Sequence, residues 1–391
     1  MKKLYFTILF FLSTVFLFAD FSQEQKAFVS SSIQDKVSIL KKQIAILEKD
    51  LPLLDMALDF CLTNAAILSD STHLHDLLFV SLYALPQDNL EPYDSALKKL
   101  FFLYNKEEIR VEILNLLTKI AISEAFFTEN LYNFLFEEIE KDYSRRSNKS
   151  IFASLQYLSS IQDLAFFNKI YPLLSKNIDF ELKKNIEEVL ALSIENYKND
   201  LLERISTTTA QEKKLILSIL GRNPHLNLFF KAEVAENLLR ATIISIGDNT
   251  GTERESLLKE FYEVQMESVR IIKEAKWTRA ASLVAGYFPI AVEQYTAFLI
   301  SKDELLEVMD SLTLLATSET GRALSDYLAV LNKKTEKTGL FDEEIMLHLI
   351  SALAQLGEKT AFDNLLYVIL HEGYPDSIIS ASKEALAKLN W

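Results

Sequence analysis

Glu344 and His348 have a spacing that could bring two metal-ligating side chains together. They are four residues apart, so on a helix they lie on the same face. A carboxylate and an imidazole can both bind zinc, but a zinc site needs three or four ligands. His73 and His75 are only two residues apart and would point to different sides of a helix. The sequence therefore predicts no metal site.

A second metal-like pattern lies in the segment 247–253. Asp248, Thr250 and Thr252 alternate as ligands do in a calcium loop. However, Gly251 is at the wrong position for such a loop, and no glutamate closes it. We interpret the segment as a turn.

Motifs for covalent or phosphate chemistry are missing from the sequence. It contains no glycine-rich phosphate loop, no Gly-x-Ser-x-Gly elbow, no His-Glu-x-x-His and no pair of cysteines. The single cysteine, Cys61, lies in an apolar helical context and is interpreted as a small core residue. We expect a protein that is not an enzyme, with no catalytic, cofactor-binding or metal-binding residues and no cofactor.

Charged clusters are the remaining candidates for binding. We interpret the acidic clusters as solvated helix faces. We interpret the basic cluster as a solvated loop, and docking of an acidic partner to this loop is the alternative. The acidic clusters are Glu137, Glu138 and Glu140, and Glu187 and Glu188; the basic one is Arg145, Arg146 and Lys149.

Composition limits both the partners and the fold class. The formal charge of −14 opposes binding to phosphate backbones, so we expect no nucleic acid partner. Of the 391 residues, 49% are hydrophobic, which is enough for a large core. Only 8 glycines and 7 prolines occur, far below average usage. Few residues therefore break helices.

The first residues have the pattern of a secretory signal. Lys2 and Lys3 precede an apolar stretch from Leu4 to Phe18, and Ala19 offers a small residue for cleavage. The stretch is shorter than the roughly 20 residues that span a bilayer. We predict a bacterial Sec signal peptide over residues 1–19 and a periplasmic or secreted protein without stable membrane insertion after cleavage. An uncleaved N-terminal anchor is the alternative.

Apolar residues recur at three- and four-residue spacing through the rest of the chain. The segment Glu107–Ile122 shows this clearly, and Val37, Leu40, Ile44 and Leu47 predict an amphipathic helix that caps the first repeat. Three segments interrupt the pattern: 143–150, 247–253 and 332–339. The second is the best candidate boundary. It separates N-terminal repeats over 20–246 from C-terminal repeats over 252–391, and we expect the two parts to be continuous.

A repeated phrase near the C-terminus indicates stacked helical units. Residues 352–357 read Ala-Leu-Ala-Gln-Leu-Gly, and residues 385–390 read Ala-Leu-Ala-Lys-Leu-Asn, 33 residues later. With the junctions at Ala125, Ala165 and Ala361, this resembles HEAT repeats, without their usual first-helix proline. The Trp, Leu-Gly and Tyr spacing of the rival tetratricopeptide repeat is not found. The resemblance implies an all-α fold, a right-handed α-solenoid of antiparallel helix pairs (HEAT/armadillo-like), with about 18 helices.

A solenoid exposes a long face that usually binds other proteins. We therefore expect a scaffold or adaptor for other envelope proteins. A carrier of a peptide or hydrophobic ligand in the solenoid groove is the alternative. The sequence assigns no partner-binding residue. Seven tyrosines are candidates to line part of a surface: Tyr157, Tyr171, Tyr287, Tyr295, Tyr327, Tyr367 and Tyr374.

Overall fold

The computed structural model describes residues 22–45, 51–68, 70–247 and 249–389. Within these ranges the chain is helical and contains no β-strand, so the all-α prediction is confirmed. The predicted signal peptide, residues 1–19, lies outside the described residues. The described residues divide into two compact units, one of those up to residue 166 with 178–189, and one of 167–177 with those from residue 190 onward.

The helices are numbered in chain order. Those up to the division are α1 (Gln23–Ser30), α2 (Ile33–Ala45), α3 (Leu51–Leu68), α4 (Thr72–Ala84), α5 (Asp94–Leu103), α6 (Glu107–Ile120), α7 (Ala125–Glu140), α8 (Asn148–Ser160), α9 (Phe166–Ile170) and α10 (Phe180–Ser193). The others are α11 (Lys198–Ile205), α12 (Ala210–Arg222), α13 (Leu228–Gly247), α14 (Gly251–Glu274), α15 (Ala281–Thr296), α16 (Lys302–Leu315), α17 (Ser318–Thr338), α18 (Glu343–Leu356), α19 (Phe362–Leu370) and α20 (Asp376–Ala387). The described part thus holds twenty α-helices, against the prediction of about 18.

The second unit is a stack of helix pairs in two layers. Helices α13, α15, α17 and α19 contact one another in succession, and so do α14, α16, α18 and α20. Within each pair the two helices also pack on each other, α13 on α14, α15 on α16, α17 on α18 and α19 on α20, so successive pairs are in contact. Contacts between successive repeats define a solenoid. The solenoid prediction is confirmed.

The first unit has the same second-neighbour contacts. They join α2 to α4, α4 to α6 and α6 to α8, and on the other side α1 to α3 and α3 to α5. Helix α3 alone among the described helices is long and apolar enough to cross a membrane, by length and composition only. Its buried side chains, including Leu53, Ala57 and Cys61, belong to the core of the unit. We therefore interpret α3 as a core helix.

Two of the predicted interruptions look different in the structure. The predicted connector over residues 332–339 was wrong, because α17 continues to Thr338 and Gly339 ends it with φ of 67°. Asn332 and Thr335 are buried on this helix, and the Asn332 amide donates to the carbonyl of Asn364 at 3.1 Å. The turn after Gly247 lies inside the second unit, because α13 and α14 on either side of it pack closely together. The division between the units lies between residues 166 and 190.

The repeated phrase ends helices as predicted in its first copy. Helix α18 stops at Leu356, and Gly357 adopts φ of 63° with its N–H donating to the carbonyl of Leu353 at 3.0 Å. In the second copy α20 ends at Ala387, and Asn390 lies outside the described residues. The predicted inner face of α20 is confirmed. It is buried at Ile378, Ser382, Ala385 and Leu389 and exposed at Lys383, Glu384 and Lys388.

Basic side chains donate to carbonyls at, or just beyond, several helix ends. The last four carbonyls of a helix have no partner within it, and lysine or arginine can donate to them. At each such site the donor lies five to nine residues beyond the carbonyls it reaches. The donors and carbonyls are Lys36 to Val29 and Ser31, Arg110 to Phe101, Arg146 to Ile139 and Lys141, Lys213 to Thr208, and Arg254 to Ile246.

Several residues at helix ends have a positive φ although they are not glycine, which strains the backbone. Phe298 has the largest side chain among them. It follows α15 with φ of 57° and is 95% exposed. A left-handed conformation costs a residue with a Cβ roughly 1–2 kcal/mol, whereas glycine adopts it freely. Since the ring is not buried, its removal exposes no core.

We expect Phe298→Gly to raise the free energy of unfolding by roughly 0.5–1 kcal/mol, after the flexibility of glycine in the unfolded chain is subtracted. The control is Gly339→Ala, where φ is also positive and no atom crowds the new Cβ. The free energy of unfolding of Gly339→Ala should fall by about 1 kcal/mol. Urea unfolding followed by circular dichroism measures both. A destabilised Phe298→Gly would contradict the account of strain.

Candidate functional site

The candidate site is a groove between α15 and α17 in the second unit, with a volume of about 390 Å³. It is mostly apolar, and a short row of charged residues follows one border. We call it the apolar groove and define it by its lining: Ala285, Phe288, Pro289, Val292, Glu319, Arg322, Ala323, Asp326, Tyr327 and Val330.

Helix α15 supplies one wall, and Pro289 lies within it. Proline has no N–H, so the usual helical hydrogen bond to the carbonyl of Ala285 cannot form. Both residues line the groove, and Pro289 is exposed. Phe288 and Tyr287 beside it are buried and hold the helix against its neighbours. The wall therefore combines apolar carbon with a carbonyl that lacks its helical donor.

Helix α17 supplies the other wall. Its start is set by a capping box, in which the Thr317 hydroxyl accepts from the Thr320 N–H at 3.4 Å and the Thr320 hydroxyl accepts from the Thr317 N–H at 3.0 Å. Gly321 allows a close approach, because a Cβ there would be 2.8 Å from the Cβ of Glu358. The capping box sets where α17 begins, and the absence of a side chain at Gly321 lets this end of α17 lie against Glu358.

The floor and border of the groove differ in polarity. Tyr327 is buried, and burial raises the pKa of its hydroxyl to about 12, so the ring is neutral. Val330, the last residue of α17 that lines the groove, is 59% exposed. Glu319, Arg322 and Asp326 are exposed and make no ion pair with any charged group in the described ranges. An apolar surface bordered by unpaired charges is a common form of binding site.

A second depression, of about 410 Å³, lies on the other layer, and its lining is polar and apolar in similar parts. Its wall contains the pair His348 and Asp310, with Nε2 and Oδ1 2.8 Å apart, and Lys273 3.6 Å from the same carboxylate. Among the described residues no hydroxyl or thiol hydrogen-bonds to His348, so the pair has no nucleophile to activate.

The weak metal candidate of the sequence is not assembled. His348 pairs with Asp310, whereas Glu344 pairs with Lys302 at 3.1 Å. No group of three or more potential ligands occurs in the part of the chain that the structure describes. Asp248 of the calcium-like segment lies outside the described residues.

A fully buried polar network lies in the helices next to the groove. We call Thr242, Gln265, Gln294 and Tyr287 the glutamine network. The Gln294 amide donates to Gln265 Oε1 at 2.7 Å, and the Gln265 amide donates to the Thr242 hydroxyl at 3.1 Å. The Tyr287 hydroxyl donates to Gln294 Oε1 at 2.9 Å. The network joins α13, α14 and α15, and no motif in the sequence predicted it.

A buried carboxylate organises a second polar cluster. Glu236 on α13 is 4% exposed and accepts from Trp277 Nε1 at 2.7 Å, Arg279 Nε at 3.0 Å and Arg240 Nη2 at 2.9 Å. Burial opposes ionisation of Glu236, but the bonds from Trp277, Arg279 and Arg240 outweigh it and lower its pKa. The exposed Phe229 lies against Trp277, with ring centroids 5.9 Å apart.

The basic loop at Arg145, Arg146 and Lys149 is largely a structural junction. Arg146 pairs with Asp179 and donates to two carbonyls at the end of α7. The backbone N–H of Lys149 donates to Glu107 at 3.1 Å. Arg146 is therefore committed to contacts inside the first unit.

The acidic clusters are not wholly solvated as predicted. Glu138 and Glu187 are both 4% exposed. Glu138 bonds to Lys141 at 2.6 Å and accepts from the Ser147 N–H at 3.2 Å. The spacing of these glutamates predicted a polar helix face exposed to solvent. Glu138 is buried instead, because the loop around Ser147 lies against it.

Most of the candidate tyrosines are buried, contrary to the expectation that they line a surface. Tyr295 and Tyr367 are half-buried, and Tyr327 lines the groove. The hydroxyls of several buried tyrosines, including Tyr104, which was not a candidate, instead join neighbouring repeats. Such bonds run from Tyr104 to the carbonyl of Cys61, from Tyr157 to that of Ile122, from Tyr171 to that of Glu212, and from Tyr374 to Asn332.

Cys61 is a core residue, as predicted. It is fully buried, and burial raises the pKa of its thiol to about 12. A thiol with so high a pKa is not a nucleophile at neutral pH.

Comparison with known proteins gives little further information. No family model matches the chain, and no curated protein matches it. Among solved structures, it is similar to a chain of the crystal complex of SYS-1/POP-1 at 12% identity, over 95% of this chain and 73% of that chain, with a TM-score of 0.29. At this TM-score the likeness carries no argument about fold or function. The solenoid assignment therefore rests on the contacts between the helices of each unit.

Proposed function

We propose that the protein is a non-enzymatic scaffold or adaptor that binds another protein through its solenoid surface. The observation that carries the proposal is the apolar groove, in which Pro289 and Val330 are exposed and Val292 is half-buried, beside a row of exposed charges. A concave, mostly apolar surface with a few polar groups at its border is the usual form of a binding site. Helix pairs in a stack offer such surfaces without any catalytic group.

We propose the cellular compartment and the repeat family of the protein together with this function. The apolar stretch Leu4–Phe18 after Lys2 and Lys3 supports export by a bacterial Sec signal, and therefore a periplasmic or secreted location. The phrases at 352–357 and 385–390 support a degenerate HEAT-type repeat. The partners would then be other proteins of the cell envelope.

Photo-crosslinking in living cells tests this function. A photoreactive amino acid replaces Val330 in the groove, and in a separate strain Leu370, which is 72% exposed at the end of α19 and does not line the groove. We expect a reproducible protein adduct from position 330 and a much weaker one from position 370. Mass spectrometry of the purified adducts identifies the partner.

A substitution in the apolar groove tests whether the groove itself binds the partner. Val330→Glu places a charge in the apolar surface and should lower recovery of the partner at least tenfold, because a buried unpaired charge opposes association. Leu340→Glu, at a residue 69% exposed outside the groove, is the matched control. Equal recovery with both variants would refute the groove as the binding surface.

A further inference from the structure

The charges along the border of the apolar groove form a regular row. Glu319, Arg322 and Asp326 follow one another at intervals of three and four residues, so they lie on one face of α17. Val330 continues the same stripe four residues later. The row from Glu319 to Val330 is about 16 Å long at about 1.5 Å per residue. A partner helix of about three turns would cover it.

Within the described parts of the chain, no ion pair of 4.0 Å or less involves any of the three charged residues. The Ser318 hydroxyl donates to Glu319 at 3.4 Å, and Arg322 is one of the groups that lower the pKa of Glu319, so the row is exposed and partly balanced within itself. Glu293, the acidic residue that follows Val292 on α15, is already bound to Arg254 at 2.9 Å. The order acid, base, acid therefore remains available to a partner. The protein as a whole has a charge of −14, which favours a partner with basic groups.

The geometry of the floor favours a helix as the occupant. The floor is formed by Phe288, Ala323 and Tyr327, which lie between two helices of one layer. Grooves between helices accept the apolar face of an amphipathic helix, through residues three and four positions apart. Charges on such a helix at the same intervals would lie opposite the row on α17.

We propose that the apolar groove binds an amphipathic helix of the partner whose apolar face is bordered by a base, an acid and a base at intervals of three and four residues. The inference rests on the proposed function and adds the chemistry of the occupant. The basic groups pair with Glu319 and Asp326, and the acidic group pairs with Arg322. The charges select the partner and its register, while the apolar contacts supply most of the affinity.

Synthetic peptides test the charge row directly. The probes are capped peptides of about 15 residues with leucines at helical spacing and an edge of Lys, Glu and Lys, made with the two possible orders of the intervals. The matched peptides carry Glu, Lys and Glu at the same positions. Fluorescence anisotropy with the full chain measures their dissociation constants. We expect the better Lys-Glu-Lys peptide to bind at least tenfold more tightly than its inverted form, with a difference that shrinks in high salt.

The protein variant with Glu319→Lys, Arg322→Glu and Asp326→Lys should reverse this preference. All three residues are exposed, and circular dichroism verifies that the variant is folded. Equal binding of both peptides, abolished by Val330→Glu, would overturn the charge row and leave the groove as a protein-binding site. Absence of binding by every peptide would also overturn the inference, while crosslinking at position 330 decides the proposed function separately.

Discussion

Replacing Gln294 with alanine should lower the free energy of unfolding by about 4 kcal/mol, the largest effect that we expect from a single polar residue. The side chain is fully buried and holds Gln265 at 2.7 Å and the Tyr287 hydroxyl at 2.9 Å. Its removal leaves the Gln265 Oε1 atom without its donor at Gln294, and leaves the Tyr287 hydroxyl with only the weak acceptor Met266 Sδ at 3.5 Å. A buried polar group that loses its partner costs about 1–3 kcal/mol, and the cavity adds to this.

A variant that removes the polar atoms together tests the cause of this loss. Gln265→Met, Gln294→Met and Tyr287→Phe combined keep most of the volume, and the Thr242 hydroxyl keeps its bond to the carbonyl of Leu239 at 2.8 Å. We expect the triple variant to be within about 2 kcal/mol of the wild type. Urea unfolding followed by circular dichroism measures both. A triple variant as unstable as the sum of its single changes would contradict the account.

Replacing Glu236 with leucine should cost about 2 kcal/mol. Trp277 Nε1 then loses its acceptor, and two guanidinium groups lose their carboxylate. The estimate is below that for a fully buried ion pair, because the side chains of Arg240 and Arg279 are 52% and 57% exposed and water can replace the carboxylate. Urea unfolding gives the change in free energy.

The same residue predicts a dependence on pH. Because the folded pKa of Glu236 is lower than the ordinary value of 4.5, its contribution is complete above that value and is lost as the pH falls through the lowered folded pKa. The stability gap between the wild type and Glu236→Gln should therefore shrink in acid. Glu293→Gln, which breaks the exposed pair with Arg254, is the control and should change stability by less than about 1 kcal/mol. A gap that stays constant below pH 4.5 would contradict the role assigned to Glu236.

The helices and their inner faces were predictable because they depend on local periodicity. The phrase ending at Gly357 marked a true helix end, and the apolar side of α20 is buried as expected. The predicted break over residues 332–339 failed for a physical reason. Polar residues such as Asn332 and Thr335 indicate a loop by composition, yet here they face a neighbouring repeat and Asn332 hydrogen-bonds to it.

The candidate site was harder to predict, because its residues come from helices that are distant in sequence. Pro289 and Val330 are separated by 41 positions, and nothing in either local pattern relates them. The burial of the tyrosines was equally hard to predict from the sequence. Their composition suggested a surface, but the hydroxyls of Tyr157 and Tyr171 reach backbone carbonyls of other repeats, so their rings are buried.

The sequence by itself determined that this protein is helical, repetitive, acidic and poor in residues that break helices, since spacing and composition act within a few turns of chain. Only the tertiary structure decided which polar side chains are buried and which apolar ones stay exposed. It turned Glu236 and Gln294 inward and left Phe298 and Val330 in solvent. The physical reason is that burial depends on the neighbouring helix in the stack, whose residues lie some 30 to 45 positions away.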